Sequence, residues 1–494
     1  MSLALIDADD TLDLSERPPA ARSSDDDGPA EALAPVLHDA RGCAVSGADP
    51  SALALFERAL AANAAWRGGA DELLARALRT APHFVMAHVL QAWMLVTGRD
   101  PRRVRLAREP LAQAREACSI RPRPARSIHS SAAHSPLPRE ALHLEALEAT
   151  LADDYPRAKA LLSQLLHRWP RDVLALQVAH SLDYLTGDLG HLAGRPAEVL
   201  PAWHASLPGF HAVRAMQAFG LVEGGHVAAA EQAAHAALAR NPLDARAHHA
   251  LAHVYDCTGR AAEGARWLEQ HAGAWATSRM VATHCAWHLA LFHLDLGDVD
   301  RALALHDRHI PAARTGDIAD LVDASALLWR LHLQGIDVGG RWQPLARAWA
   351  PHIDDGFCSF SDVHAMLAFV GAGDEARAER LVRSLQAAAA RPTRHGATTR
   401  RVGLPACRAL AAFGRGEPLR AIEGLAAIPA EAHRLGGSHA QRDVLHLTLL
   451  EAVQRIRRPA PQRPPQDSGS QISVRSASGA TSSGRSRLSS IGGA

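Results

Sequence analysis

Residues 284–298 read HCAWHLALFHLDLGD, and residues 248–260 read HHALAHVYDCTGR. Histidines four apart on a helix project from one face, the spacing that lets two imidazoles reach one metal ion or one proton relay. At about 100° per residue, His249, His253 and Asp256 fall within about 60° of one another, and His248 lies about 100° from His249. In the later stretch His284, His288, Leu291 and Asp295 share a face, with His293 opposite. His249 to His284 and His253 to His288 are both 35 residues, so the two pairs stand one repeat apart and can meet on one wall.

Three kinds of chemistry fit those residues. The histidines can hydrogen-bond acids or carbonyls of a neighbouring helix. They can join Arg and Trp side chains in receiving an acidic or peptide partner. Or His249, His253, His284 and His288 can ligate Zn or Fe, or act as an acid–base site with the nearby acids. The sequence holds no HExxH, GxSxG or CxxC pattern, and no Gly-rich phosphate loop stands out.

Other segments carry weaker signals. In GGSHAQRD (436–443) Ser438 and Gln441 have the spacing of a capping box. A helix start after two glycines can also receive an anion, with His439 and Arg442 beside it. In DLVDASALLWR (320–330), Asp320, Asp323 and Ser325 sit where the dipole of a helix start favours acids. His364 either faces the groove or packs in the core. Trp267, Trp275, Trp287, Trp329, Trp342 and Trp349 are expected in the core or as wedges between helices.

The chain that must position these residues is 494 long, 47% hydrophobic but only 4% aromatic. Its core is therefore built mainly of Ala and Leu, both strong helix formers. A formal net charge of +1 argues against a dedicated nucleic-acid or membrane surface. Basic charge is almost all Arg, with Lys159 the only lysine. The six cysteines are scattered, which suits a reducing compartment. The acidic start lacks the pattern of a signal peptide, and no run of apolar residues is long enough to span a membrane, so the chain reads as cytoplasmic.

Prolines mark a repeat. Pro82, Pro170, Pro208 and Pro242 each follow or precede an apolar helical run, and a new run begins about three residues later. Pro208 to Pro242 is 34 residues, the tetratricopeptide period. Helix starts are then expected near 85, 173, 211 and 245, with earlier ones near 51 and 139. Ala230, Ala234 and Ala237, and likewise Ala158, Leu162 and Leu165, fall on the inner faces of second helices. Further helical pairs are expected at 320–335 with 341–350, 361–373 with 374–390, and 403–416 with 417–429. There is no convincing strand pattern. The expected fold is all-α, a solenoid of antiparallel helical hairpins forming a curved superhelix with a concave groove. Residues 1–50 are expected to be a partly disordered extension and 51–455 the repeat domain, with an irregular loop near 121–138. Residues 456–494, rich in Ser, Gly, Pro and Arg, are expected to be a disordered tail, either simply solvated or weakly anion- or RNA-binding.

HAVRAMQAFGLVEGG, AHHALAHVYDCTGRAAEGARWLEQ, HCAWHLALFHLDLGD, DLVDASALLWRLHLQGIDVGGRW, SDVHAMLAF and GGSHAQRDV, in this order between about 51 and 455, resemble the tetratricopeptide repeat protein 38 family. That resemblance implies a tetratricopeptide-like helical array and carries no established activity, metal or catalytic residue with it. Family members continue helically after GGSHAQRD and the following helix. Here the tail replaces that last helix, which should leave part of the apolar face of VLHLTLLEAV (444–453) exposed. The expected function is a non-enzymatic scaffold that binds a protein or peptide in its concave groove through His249, His253, Asp256, His284, His288, Asp295, His439 and Arg442, with no cofactor. The alternative is a metal-dependent or acid–base, hydrolase-like enzyme on the same histidine faces. Oligomeric state is not legible.

Overall fold

In the computed structural model, the described residues are 36–119, 136–310, 312–428 and 430–457. Of the expected extension (1–50), loop (121–138) and tail (456–494), residues before 36, through 135 and from 458 respectively lie outside them. The ordered part opens with two short antiparallel strands, Leu37–His38 and Ala44–Val45, which the sequence pattern did not signal. Helices make up the rest.

The proline rhythm has a local cause. In WPRD and NPLD the proline holds the chain extended, and the aspartate two residues later caps the next helix. Asp172 accepts from the Ala175 amide and Asp244 from the Ala247 amide. Asp49, Asp100, Asp154, Asp188, Asp298, Asp317 and Asp374 cap other helices in the same way, each worth about 1 kcal/mol. The helix starts fall as expected at Pro50–Ala64, Pro138–Leu151, Val85–Val96, Val173–Thr186, Phe210–Glu223 and Ala245–Cys257. The later pairs form as Ile318–Leu333 with Trp342–Trp349, Ser359–Gly371 with Glu375–Ala389, and Leu404–Gly414 with Pro418–Leu425.

Small side chains set the spacing within a hairpin. Ala230, Ala234 and Ala237 of Val227–Leu238 are buried, as are Ala158, Leu162 and Leu165 of Tyr155–Arg168. Each second helix buries one stripe and also packs under the first helix of the next hairpin, as Val227–Leu238 does under Ala245–Cys257. The first helices pack on one another in succession and form an inner layer. These inner helices are buried nearly all round: Ile318–Leu333 buries every residue from Asp320 to Leu331. A helix covered on every side must have something on its inner face as well.

That cover is the chain itself. Residues 433–442 cross the concave side and touch several repeats. Gln441 accepts from the Tyr184 hydroxyl (2.9 Å) and donates to Asp323 (3.1 Å). Arg330 donates to the Ala440 carbonyl, and the His439 amide donates to Glu223 (2.9 Å). Gly437 lies against the Phe360 ring. Arg99 stacks over Tyr184 (5.0 Å) and Phe360 (4.3 Å). From the other end, the Ala245 amide donates to the Ala65 carbonyl (3.1 Å), and Arg102 reaches His352 (2.8 Å) and the Pro351 carbonyl (2.9 Å). The curved array thus touches itself across its interior.

The last helix, Val444–Arg457, is better covered than expected. It packs on Ile318–Leu333, Leu404–Gly414 and Pro418–Leu425. Trp329 Nε1 donates to Thr448 (2.8 Å), and Arg455 covers the Phe413 ring (4.0 Å). Within the expected exposed stretch, Leu450 stands half-exposed. The tryptophans behave as expected: Trp287, Trp329 and Trp349 are fully buried, Trp275 and Trp342 nearly so, and Trp267 is partly covered.

The crossing rests on glycines. Gly187 (φ 64°) and Gly436 (φ 73°) are left-handed, and a Cβ at either would run into the backbone of the opposing segment, His433 and Leu185 respectively. Gly187→Ala and Gly436→Ala should each destabilise the protein by at least about 1–2 kcal/mol, read as a lower urea midpoint. An alanine at Gly416 (φ 74°), where a Cβ meets nothing, should cost less than either.

Candidate functional site

Ala245–Cys257 and Arg279–Asp295 lie side by side in the inner layer, and the 35-residue step aligns their histidine pairs. One ring nitrogen from each of His249, His253, His284 and His288 lies within 4.8 Å of one from every other. His249 Nε2 is 3.0 Å from His253 Nε2 and 3.1 Å from His284 Nε2. The His288 ring packs edge-on against those of His249 (5.3 Å between centroids), His253 (4.5 Å) and His284 (4.9 Å).

The cluster is enclosed. His249, His253 and His288 are 3%, 1% and 0% exposed, and only His284 reaches solvent in part. Trp66 and Phe219 each lie 5.4 Å from His249, and Trp287 stacks on His284 at 5.3 Å. Trp66 takes a left-handed backbone (φ 56°), with the Arg246 guanidinium over its ring at 4.1 Å. The expectation of an open groove wall is therefore corrected for these residues. Aromatic rings and the chain's own segments cover it.

Electrostatics follow burial. His253 is held down at about 3, first by loss of hydration and then by His284. His249 and His288 lie well below the ordinary imidazole value, with burial the first cause and His253 the next. These rings are neutral at pH 7. His284 Nδ1 faces Asp323 Oδ2 at 2.8 Å. A carboxylate there takes the Nδ1–H, which leaves the Nε2 lone pair pointing into the cluster. His249 Nε2 can give its one proton to His284 or to His253, and not well to both. Among the described residues His249 Nδ1 and both nitrogens of His288 have no hydrogen-bond partner, a cost of about 1–3 kcal/mol per buried group.

The other candidates fall elsewhere. Asp256 and Asp295 do not join the histidines. Burial raises both, and Arg330 opposes that rise. His293 faces Glu269 and Asp298, each at 3.6 Å, and His248 bonds the Pro242 carbonyl (2.9 Å) and receives Trp267 Nε1 (3.1 Å). The capping box at Ser438 and Gln441 forms, on the short helix His439–Arg442. Its amide at His439 and the Arg442 guanidinium (3.5 Å) are taken by Glu223, which sits where an external anion was considered. Burial raises Glu223 and Arg442 opposes that. His364 is buried and bonds the Phe360 carbonyl (2.8 Å).

Sequence reasoning missed Glu223, Tyr184, Trp66 and Phe219, and the part that Asp323 and Gln441 play beside the histidines. Asp323, read as a helix-start acid, instead holds His284. A signal existed for it: Asp323 is the sixth residue of its helix, as His284 and His364 are of theirs. The N-terminal capping role belongs to Asp317, and Asp320 pairs with Arg279 at 2.8 Å.

No family model matches the chain. Among solved structures it is similar to the Cut9 and Hcn1 hetero-tetramer of the APC/C (12% identity, 80% of this chain and 69% of that one, TM-score 0.37). It is also similar to a tetratricopeptide repeat protein from Parabacteroides merdae (13%, 63% and 98%, TM-score 0.26) and to yeast Tom70 (10%, 82% and 88%, TM-score 0.36). The assignment as a tetratricopeptide-like helical-repeat protein rests on the chain's own hairpins, their period and their packing.

The depressed histidines make stability depend on pH. Unfolded imidazoles take up protons near pH 6.5, which the folded rings refuse, so stability falls as pH drops below that value. Each such proton contributes about 1.4 kcal/mol per pH unit. Asp362, raised to about 8 by burial, acts in the opposite direction, so the readout is a difference. With EDTA present, His253→Gln/His288→Gln should show a shallower loss of stability than the parent between pH 7 and 5.5, measured by urea unfolding.

Proposed function

We propose that this protein is a non-enzymatic helical-repeat scaffold that captures a peptide segment of a partner protein. One observation carries the reading. Between the second helices Glu375–Ala389 and Pro418–Leu425 of consecutive hairpins lies a groove of about 670 Å³. Its floor includes Val370, Ala378, Val382, Ala409 and Ala412, and its rim carries Glu375, Glu379, Arg383, Arg408 and Arg415. Small apolar residues below and charges of both signs above suit an amphipathic segment that buries one face and pairs at the edges. The groove is open, whereas the concave side at the histidines is covered by residues 433–442. These features support a partner surface between outer helices rather than on the histidine wall.

The acid–base alternative needs a substrate path to the imidazoles, and His249, His253 and His288 are buried behind aromatic rings. Membership of the tetratricopeptide repeat protein 38 family is supported by the motifs from HAVRAMQAFGLVEGG to GGSHAQRDV. Residence in the cytoplasm is supported by six widely scattered cysteines with no CxxC pattern among them. Among the described residues no helix is long and apolar enough to cross a membrane.

A displayed library of random peptides tests the scaffold. Selection on the full chain should enrich sequences with one apolar face, and Val382→Arg should cut their affinity at least tenfold while leaving the unfolding midpoint within error. If no enriched peptide distinguishes parent from Val382→Arg, the groove is not the docking surface.

A further inference from the structure

We propose that His249, His253, His284 and His288 form a structural site for one zinc-class divalent metal ion, with Asp323 orienting His284. The proposal is independent of the partner groove. It begins from geometry: four imidazoles from two adjacent inner helices converge, with donor nitrogens within 4.8 Å of one another and three of them already 3.0–3.1 Å apart in two pairs. A tetrahedral ion with bonds of about 2.1 Å needs its donors about 3.4 Å apart. Two contacts are slightly closer than this, and the remaining adjustment is an ångström or so of ring movement.

Proton counting points the same way. Asp323 takes the Nδ1 proton of His284 and turns its Nε2 lone pair inward. The three facing Nε2 atoms cannot all be satisfied by one another's protons. His288 is fully buried, and among the described residues neither of its nitrogens nor His249 Nδ1 has a hydrogen-bond partner. A cation at the point of convergence turns competing lone pairs into ligands and lets each ring carry its proton on the other nitrogen. The carboxylate–histidine pair is the arrangement by which proteins orient a metal-bound imidazole. Gln441 in turn holds the other oxygen of Asp323 at 3.1 Å. Glu223, 3.8 Å from His253 Nδ1, supplies a second carboxylate behind a ligand.

The donor set names the ion class. Four neutral nitrogens, no thiolate and no carboxylate in the inner set suit zinc and its neighbours rather than calcium or magnesium. Four protein ligands with aromatic walls make a closed site, the arrangement of structural rather than catalytic zinc. Bound there, the ion clamps Ala245–Cys257 to Arg279–Asp295 beneath the segment that carries Gln441. The other convergent group, Asp183, Asp188 and His191, is already served by Lys159, which bonds both aspartates, and makes a suitable control.

The test uses the full chain, unfolded in urea with EDTA and refolded with either Zn²⁺ or EDTA so that the buried site can load. One zinc per chain should survive gel filtration, and the unfolding midpoint should rise relative to the EDTA sample. Loading with Co²⁺ instead should give the intense visible bands of tetrahedral coordination. His288→Gln should lower zinc affinity at least 100-fold, and Asp323→Asn should lower it about tenfold with the Co²⁺ spectrum retained. His191→Gln should change neither. Should His288→Gln fail to fold, the stoichiometry and the Co²⁺ spectrum of the parent decide. A parent that refolds with no retained metal, an octahedral Co²⁺ spectrum, or zinc lost on His191→Gln but not on His288→Gln would each overturn the proposal.

Discussion

Gln441 holds two distant parts of the chain at once: the Tyr184 hydroxyl from one side and the Asp323 carboxylate from the other. In a simple solenoid each repeat contacts only its neighbours, and stability is close to a sum of local terms. Here residues more than two hundred apart in sequence meet across the interior, through Gln441, through Arg394 on the Thr186 carbonyl, and through Arg102 on His352. The inner helices can be apolar on both faces only because that crossing covers them. Without it, Ile318–Leu333 and Ser359–Gly371 would present apolar surface to water, and a large exposed apolar patch is a liability in a soluble protein.

The same crossing explains why so many polar groups are buried so close together. A backbone segment laid across the inner layer brings amides and carbonyls that need partners. Glu223 meets the His439 amide, Arg330 meets the Ala440 carbonyl, and Gln441 meets Asp323. His284, Asp323 and His364 occupy the same place in three successive inner helices and form a ladder beneath it. The ladder is satisfied at Asp323 and at His364 Nδ1, whereas the neighbouring His288 has no hydrogen-bond partner among the described residues. Buried polar groups without partners are costly, and at the histidines they also converge on one point, which is why that cluster suggests a ligand.

Function divides between surfaces of different character. The interior around the histidines is closed by Trp66, Phe219 and Trp287, which suits holding an ion or holding the fold. The groove between Glu375–Ala389 and Pro418–Leu425 is open, floored by alanine and valine and rimmed by charge, which suits a reversible partner. A rigid array with a clamped interior can present such a groove without ordering it on binding, and preorganisation of that kind lowers the entropic cost of association.

The sequence by itself determined the helices and their repeat. The proline–aspartate starts, the Ala and Leu stripes and the 35-residue step are local or nearest-neighbour properties, and they give the hairpins, their order and the equivalent positions of the His249/His253 and His284/His288 pairs in consecutive repeats; that the two pairs converge came from the structure. What the sequence did not show was what covers those histidines. Asp256 and Asp295 share a helical face with them, yet they turn toward Arg330, and Asp323 comes in from the next repeat instead. Glu223 comes from the preceding inner helix, and Tyr184 and Gln441 meet from positions far apart along the chain. Those pairings depend on the curvature of the superhelix, summed over many small rotations between hairpins. No periodicity in a single sequence records that sum, so only the tertiary structure decided that the concave wall at the histidines would be an enclosed interior.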